Sequence, residues 1–365
     1  MEKNKIIVLC FCVLMVLGLG VHFLMSPDAI NTNGSKNITD MINRTVQVPG
    51  TVNSVAATSP PMTTMIYMIA PEKLTGVNFV WTDEELKYVS NEYKNLPVIG
   101  GWFGSQDGNY EEFIASEPDV IIEAIDEGMG VDSSTVKERQ SKFGSIPVVA
   151  VEDSTNVSAI GKSISFLGKA IDSEDKANEL IEFNNKYLDK VKEVDASIPD
   201  DKRKTVYYAE SVDGLETDTL GSSHSQLITL CGGINVADTG ENNSGTIQVS
   251  IEQVIKWNPD VIITTDPTFY EKVYSDPNWA NIDAVKNKEV YLSPQSPFKW
   301  FDRPPGANTI IGVPWTAKVI YPDEYGDLDL KEATQEFYEE FYHVDLDDEE
   351  VEKILLGSGI KKENL

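Results

Sequence analysis

The chain has 365 residues, 41% hydrophobic and 9% aromatic, which is enough for two cored units and excludes a disordered polymer. Against 30 Lys and Arg stand 59 Asp and Glu, a net charge of −29 that excludes nucleic acid as a partner, because phosphate binding needs a basic surface. Of the three cysteines only Cys231 lies outside the first 25 residues, so the remainder has no internal disulfide and no cysteine zinc site.

Lys3 and Lys5 precede an apolar run over residues 6–25, broken only by His22. A helix of that length just spans a bilayer core. Positive charge before it places the rest of the chain on the outer face of the membrane. Residues 1–25 therefore read as a signal peptide or a membrane anchor. No small-residue cleavage motif stands out, and neither Cys10 nor Cys12 follows the small residue that a lipoprotein site requires, which favours a retained anchor. Residues 26–45 are polar and read as a flexible stalk. Asn33, Asn37 and Asn43 head Asn-X-Ser/Thr tripeptides there, and Asn156 and Asn242 head two more, so the exported chain is expected to be a glycoprotein.

The apolar run at 54–58 predicts a buried strand, and Ser59-Pro60-Pro61 opens a helix behind it. Residues 96–100 predict a second strand, leading into the loop Gly101-Trp102-Phe103-Gly104. A short helix over 110–116 precedes strands at 119–122 and 146–151. Then the rhythm changes. Ile160, Ile164, Leu167 and Ile171 keep helical spacing, and Ala177, Leu180, Ile181, Leu188 and Val191 carry a second pattern to about 194. Its roughly 22 residues would reach about 33 Å. Strand–helix alternation restarts at 205–208, with a helix at 226–233 that stops at glycine, a helix at 249–257, strands at 261–264 and 290–292, and a helical tail over 334–356. Short apolar strands alternating with helices predict an α/β fold of two doubly wound lobes, each with a parallel sheet. The lobes are expected at 46–155 and 201–365, with connecting helices over 156–200.

One repeat stands out. Glu111 lies seven residues before Pro118-Asp-Val-Ile-Ile122, and Glu252 lies seven before Pro259-Asp-Val-Ile-Ile263. Self-similarity of this kind points to two related lobes, each carrying one matched carboxylate. With a long helix between the copies, the chain resembles the substrate-binding proteins of ABC importers for iron–siderophore complexes, cobalamin and related metal chelates. The resemblance covers about residues 46–356. Leu230-Cys-Gly-Gly-Ile-Asn-Val-Ala237, Val285-Lys-Asn-Lys-Glu-Val-Tyr291 and Glu336-Phe-Tyr-Glu-Glu-Phe-Tyr342 add to it in order. It implies a cleft between lobes joined by one stiff backbone helix. It implies delivery of cargo to a membrane permease with its ATPase. It also implies that Glu111 and Glu252 are set against permease arginines, where bidentate pairing fixes orientation. Each Glu also suits the start of its own helix, where an anion complements the dipole.

Cargo contacts are expected from loops at the strand ends that face the cleft. In the first lobe these are Ser59, Pro60, Trp81, Trp102 and Phe103; in the second, Tyr208, Ser222, Ser223, His224, Trp300 and Arg303. Arg303 suits a carboxylate, phosphate or oxoanion on a chelate, and the adjacent Asp302 competes for it. Trp102 and Trp300 suit stacking on a flat ligand or packing in a core. His224 suits a hydrogen-bonded structural role as well as contact with a metal. No histidine cluster supports direct metal binding by protein alone. The expected cargo is therefore a metal held in its own chelator, first an iron complex. A corrinoid, molybdate or tungstate, and a nickel or cobalt complex are the alternatives, and Ser59, Ser222 and Ser223 would serve an oxoanion. No resident cofactor and a monomer are expected. An enzyme or an adhesion protein is the rival class, but the chain has no P-loop and no Gly-x-Ser-x-Gly elbow.

Overall fold

The computed structural model describes residues 34–126, 130–152, 154–238 and 245–365. The leader over residues 1–25, Asn33 and Asn242 lie outside them. Among the described residues no helix is long and apolar enough to cross a membrane.

Strands β1 (Ser35–Thr39) and β2 (Thr45–Pro49) form an antiparallel hairpin within and just beyond the segment expected to be a flexible stalk. Two interactions order it. Val46 and Val48 alternate inward and are buried. The buried Asp40 carboxylate accepts from the Arg44 backbone N–H at 2.8 Å and from its Nε at 2.9 Å, while Arg44 Nη2 donates to the Val148 carbonyl at 2.7 Å. Asn37 and Asn43 are exposed on this hairpin, and Asn156 is exposed further on.

The first sheet is parallel, in the order β3 (Val55–Ala57), β4 (Val120–Ala124), β5 (Val148–Val151). Every residue in it is buried, so apart from Glu123 in β4 its strands read as continuous apolar runs rather than alternating ones. The strand expected at 96–100 is reduced to a single bridge between Val77 and Val98. Pro97 has no N–H to offer a ladder, and only the Val77–Pro97 and Ile99–Val77 backbone bonds form.

From β5 the chain passes through helices Gly161–Ala170 and Glu174–Asp195 to the second sheet. Glu174–Asp195 runs 22 residues and buries Leu180, Phe183, Tyr187 and Val191 along one stripe. The strands that follow are β6 (Thr205–Ala209), β7 (Glu216–Asp218), β8 (Ile234–Asn235), β9 (Thr246–Gln248), β10 (Val261–Thr264) and β11 (Val290–Leu292). The second parallel sheet has the order β11-β10-β6-β8, and β7 pairs with β9 in a separate antiparallel ribbon.

One hydrophobic core runs from β3 and β4 through Glu174–Asp195 to β6 and β10, and two smaller clusters back the outer faces of the sheets. The wholly buried helix Thr309–Ile320 packs on Glu174–Asp195. It approaches so closely that a Cβ at Gly312 would lie 2.0 Å from the Trp300 carbonyl oxygen. The expected helical tail is two helices, Leu330–Phe337 and Asp348–Gly357. A π-turn over Tyr338–Tyr342 follows the first, and left-handed His343 closes it. This tail folds back on the first lobe. Tyr67 Oη donates to the Tyr342 carbonyl at 3.2 Å, and His343 Nε2 lies 2.8 Å from the Tyr67 carbonyl.

Candidate functional site

A cavity of about 460 Å³ opens between the C-terminal ends of the first sheet and two loops of the second lobe. Ligands of open α/β sheets bind at such strand ends. On the first side, Ser59 stands at the N-cap of helix Pro60–Ile69 with extended dihedrals and makes no capping bond. Its buried hydroxyl has no hydrogen-bond partner. Gly101 passes so near the strand end that a Cβ would meet the Thr58 carbonyl at 2.4 Å, and the Trp102 N–H donates to that same carbonyl at 2.8 Å. Glycine is required by this close approach. The loop thereby sets Trp102 and Phe103 on the cavity wall. The Arg139 guanidinium lies 4.3 Å from the Trp102 ring centre, a cation–π stack.

The second side is built on a buried carboxylate. Asp302 is fully buried, and its Oδ2 accepts from the Tyr208 hydroxyl at 2.9 Å and faces Arg303 Nε at 3.2 Å. Its Oδ1 lies 2.7 Å from His224 Nδ1, so the Nδ1–H donates and Nε2 is the free ring nitrogen. Arg303 Nη2 also pairs with Glu210 and stands 3.5 Å from Asp218 Oδ2. Arg303 sits at φ 66, in the left-handed region that non-glycine residues rarely adopt. Its side chain is 38% exposed, so the carboxyl groups of Asp302, Asp218 and Glu210 orient it while part of it still meets the cavity. Burial and the adjacent Asp218 push the Glu210 carboxyl up to about 8. Burial works against Asp218 too, but hydrogen bonds with Glu210 and Ser222 hold it below the usual carboxylate range.

Seven of the expected residues line this cavity: Ser59, Pro60, Trp102, Phe103, Ser223, His224 and Arg303. Four do not. Trp81 packs edge-on against Tyr67 and Phe298. Trp300 is fully buried near Tyr338, beneath the helix that carries Gly312, so it belongs to the core and not to a ligand floor. Tyr208 stands behind Asp302 and braces it. Ser222 turns its hydroxyl to Asp218 at 2.7 Å. Phe79, Ala124, Asp126, Val131, Ser154 and Thr155 line the wall without having been anticipated, as does Glu123, which forms a buried ion pair with Arg139. The available signal for Glu123 was a charge directly after the apolar run Val120-Ile-Ile122. Among the described residues no group of His, Cys, Asp and Glu is arranged to hold a bare metal ion.

A cavity between two α/β lobes, each with a parallel sheet, that sets an aromatic wall on one lobe and an oriented guanidinium on the other is the geometry of a two-lobed binding protein. Residues 55–297 match the periplasmic binding protein family, and the chain belongs to it. It is similar to an ABC transporter solute-binding protein from Sulfurospirillum deleyianum, with 34% identity, a TM-score of 0.80, and 88% of this chain and 99% of that one covered. It is 27% identical over 343 residues to the molybdate-binding protein MolA of Haemophilus influenzae, covering 87% of this chain and 94% of that protein. An ABC transporter substrate-binding lipoprotein of Bacillus subtilis, YvrC, is 27% identical over 291 residues, covering 79% of this chain and 86% of that one. The chain is thus the substrate-binding component of an ABC transporter, acting outside the cytoplasm with a membrane permease and its ATPase. Its relatives are binding proteins, not enzymes.

Proposed function

We propose that the cargo is a metal complex held in its own organic chelator, first an iron complex of the siderophore type, delivered to the permease. The observation that carries this reading is the pairing within one cavity of an aromatic and proline-rich wall with Arg303 and His224. At about 460 Å³ the cavity falls in the range of organic ligands, and its apolar walls suit the body of a chelator while Arg303 takes an acidic oxygen. A corrinoid fits less well, because Trp300 is withdrawn into the core and half of the expected flat floor is gone.

A molybdate-type oxoanion is the second reading. It draws on the relative MolA and on the unpartnered Ser59 hydroxyl at the start of a helix beside the cavity.

Glu111 and Glu252 are proposed to meet the permease. Both are exposed, each in the first turn of its helix, after caps Asn109 and Ser250. The N-terminal apolar segment is proposed to hold a monomer at the outer membrane surface.

Protein purified from its host tests the cargo. A visible absorption band with the mass of a ferric complex by native mass spectrometry is the expected result. A colourless protein carrying molybdate would establish the second reading instead.

A further inference from the structure

Glu123 is 1% exposed, lies at the C-terminal end of β4, and lines the cavity. One oxygen is well served: Oε1 pairs with Arg139 and accepts from Thr58 Oγ1 at 2.8 Å. The other, Oε2, is buried with no hydrogen-bond partner. Burial pushes this carboxyl up, and Arg139 opposes the rise. A buried ion pair is a weak device for stability alone, since an apolar pair of similar size serves as well or better. An acceptor left bare inside a protein is costlier still. The same place in the second lobe shows what a purely structural residue looks like. After the matching Pro259-Asp-Val-Ile-Ile263 comes Thr264, neutral and fully buried, whose Oγ1 accepts from the Asp266 N–H at 3.0 Å. The two copies share Pro-Asp-Val-Ile-Ile and differ at the residue that follows it, which lines the cavity only in the first lobe.

Arg139 makes the Glu123 wall rigid. It is 5% exposed and is held between the carboxylate and the Trp102 ring. That ring is itself packed closely against Gly108, where a Cβ would come within 2.6 Å of the indole. The carboxylate is thus held by Arg139 and Thr58 with Oε2 left unpartnered.

We infer that Glu123 is a specificity-determining residue of the cargo site, whose Oε2 accepts a hydrogen bond from an N–H or O–H group on the cargo, opposite the Arg303 anchor. This rests on the chelate reading above. It gives the cavity two chemically opposite walls, one that donates and one that accepts. The favoured cargo carries acidic or carbonyl oxygens at one end and an ammonium, amide or hydroxyl donor at the other. A fully ionised oxoanion has no such donor.

The test uses a matched pair of ferric trihydroxamates, one ending in an ammonium group and one in trimethylammonium, of equal charge but with and without N–H. Sodium molybdate is the third probe. Affinities are read by tryptophan fluorescence on the full chain. The wild type is expected to prefer the ammonium complex roughly tenfold, and Glu123→Gln, which presents an amide N–H or a weaker acceptor, to erase the preference. Arg303→Ala should weaken both chelates equally. Should Glu123→Gln fail to fold, Glu123→Gln with Arg139→Met removes both buried charges and reads the same ratio. If the wild type binds both chelates without preference, or the variant keeps the preference, the role of Glu123 is overturned and the chelate reading stands. Binding of molybdate alone, or of no probe, overturns the chelate reading and this inference together.

Discussion

His224 Nδ1 lies 2.7 Å from Oδ1 of Asp302, and that contact decides which nitrogen the imidazole offers the cavity. The same buried carboxylate stands 3.2 Å from Arg303 Nε and accepts the Tyr208 hydroxyl. One acid therefore orients both polar groups of the second wall. Such supporting carboxylates matter nearly as much as the groups they hold.

Asp302→Asn tests this. The new amide puts a donor among partners that all donate, namely Tyr208, His224 and Arg303. Affinity for a ferric trihydroxamate is expected to fall about 10- to 100-fold. Calorimetric titration gives the loss, and thermal unfolding separates it from a folding defect. Unchanged affinity would mean that His224 and Arg303 hold their places without Asp302.

Glu210 gives the site a pH signature. Its carboxyl is pushed up to about 8 in the folded protein, from an ordinary value of 4.5. Below 4.5 both states hold the proton, and that contribution to stability is complete. As pH rises from there toward 8, the unfolded chain ionises while the folded one resists, so stability declines through this window. Asp218 is shifted downward, so its contribution is lost only at acid pH, outside this range. Urea unfolding at pH 5 and pH 8 should show the wild type losing roughly 2–4 kcal/mol, and Glu210→Gln losing clearly less. Equal losses in the two proteins would show that Glu210 is ionised throughout.

Two tryptophans expected to share a role should separate cleanly. Trp300→Ala empties a fully buried site beneath Gly312 and is expected to cost about 3–5 kcal/mol of stability. Trp102→Ala removes a ring on the cavity wall and should lower affinity for a ferric trihydroxamate by several-fold at a smaller cost in stability. Denaturant midpoints and fluorescence titrations on the same preparations check both. A larger binding loss in Trp300→Ala than in Trp102→Ala would reverse the assignment.

The fold was legible because its strands are short apolar runs buried on both faces, and because Pro-Asp-Val-Ile-Ile occurs twice. The loops that reach the cavity were legible for the same reason, since they follow those strands. What sequence could not separate was depth. Trp102 and Trp300 stand in similar Gly- and Pro-rich loops, and only the packing of the folded chain shows that Trp300 is fully buried while Trp102 lines the cavity. Side-chain direction was equally hidden. Ser222 and Ser223 are adjacent, yet one turns to Asp218 and the other lines the cavity. Glu123 and Arg139 lie on different elements, and nothing local announces a pair made across that distance. The hairpin at 35–49 was missed because its order depends on Val46, Val48 and the Asp40–Arg44 pair packing on β5, while its composition is that of a linker.

Glu111 and Glu252 give the last prediction. They occupy equivalent places in the repeat, each exposed on the first turn of a short helix, and neither lines the cavity. Their backbone neighbours are already capped by Asn109 and Ser250, whose side chains accept from Glu111 N–H at 3.0 Å and Gln253 N–H at 3.2 Å. The Glu252 carboxylate also meets its own backbone N–H and the Ser250 hydroxyl, which hold it below the usual carboxylate range, yet both glutamates are exposed and within reach of an external partner. Carboxylate–arginine pairs at two separated points would set the docking axis on a permease. The double variant Glu111→Ala, Glu252→Ala should therefore bind a ferric trihydroxamate within about twofold of the wild type while transport falls at least tenfold. Uptake of the labelled complex into proteoliposomes holding the cognate permease and ATPase measures transport, and titration of the free protein measures binding. Full transport by the double variant would remove these residues from the docking surface. A parallel loss of binding would place them in the cargo site instead.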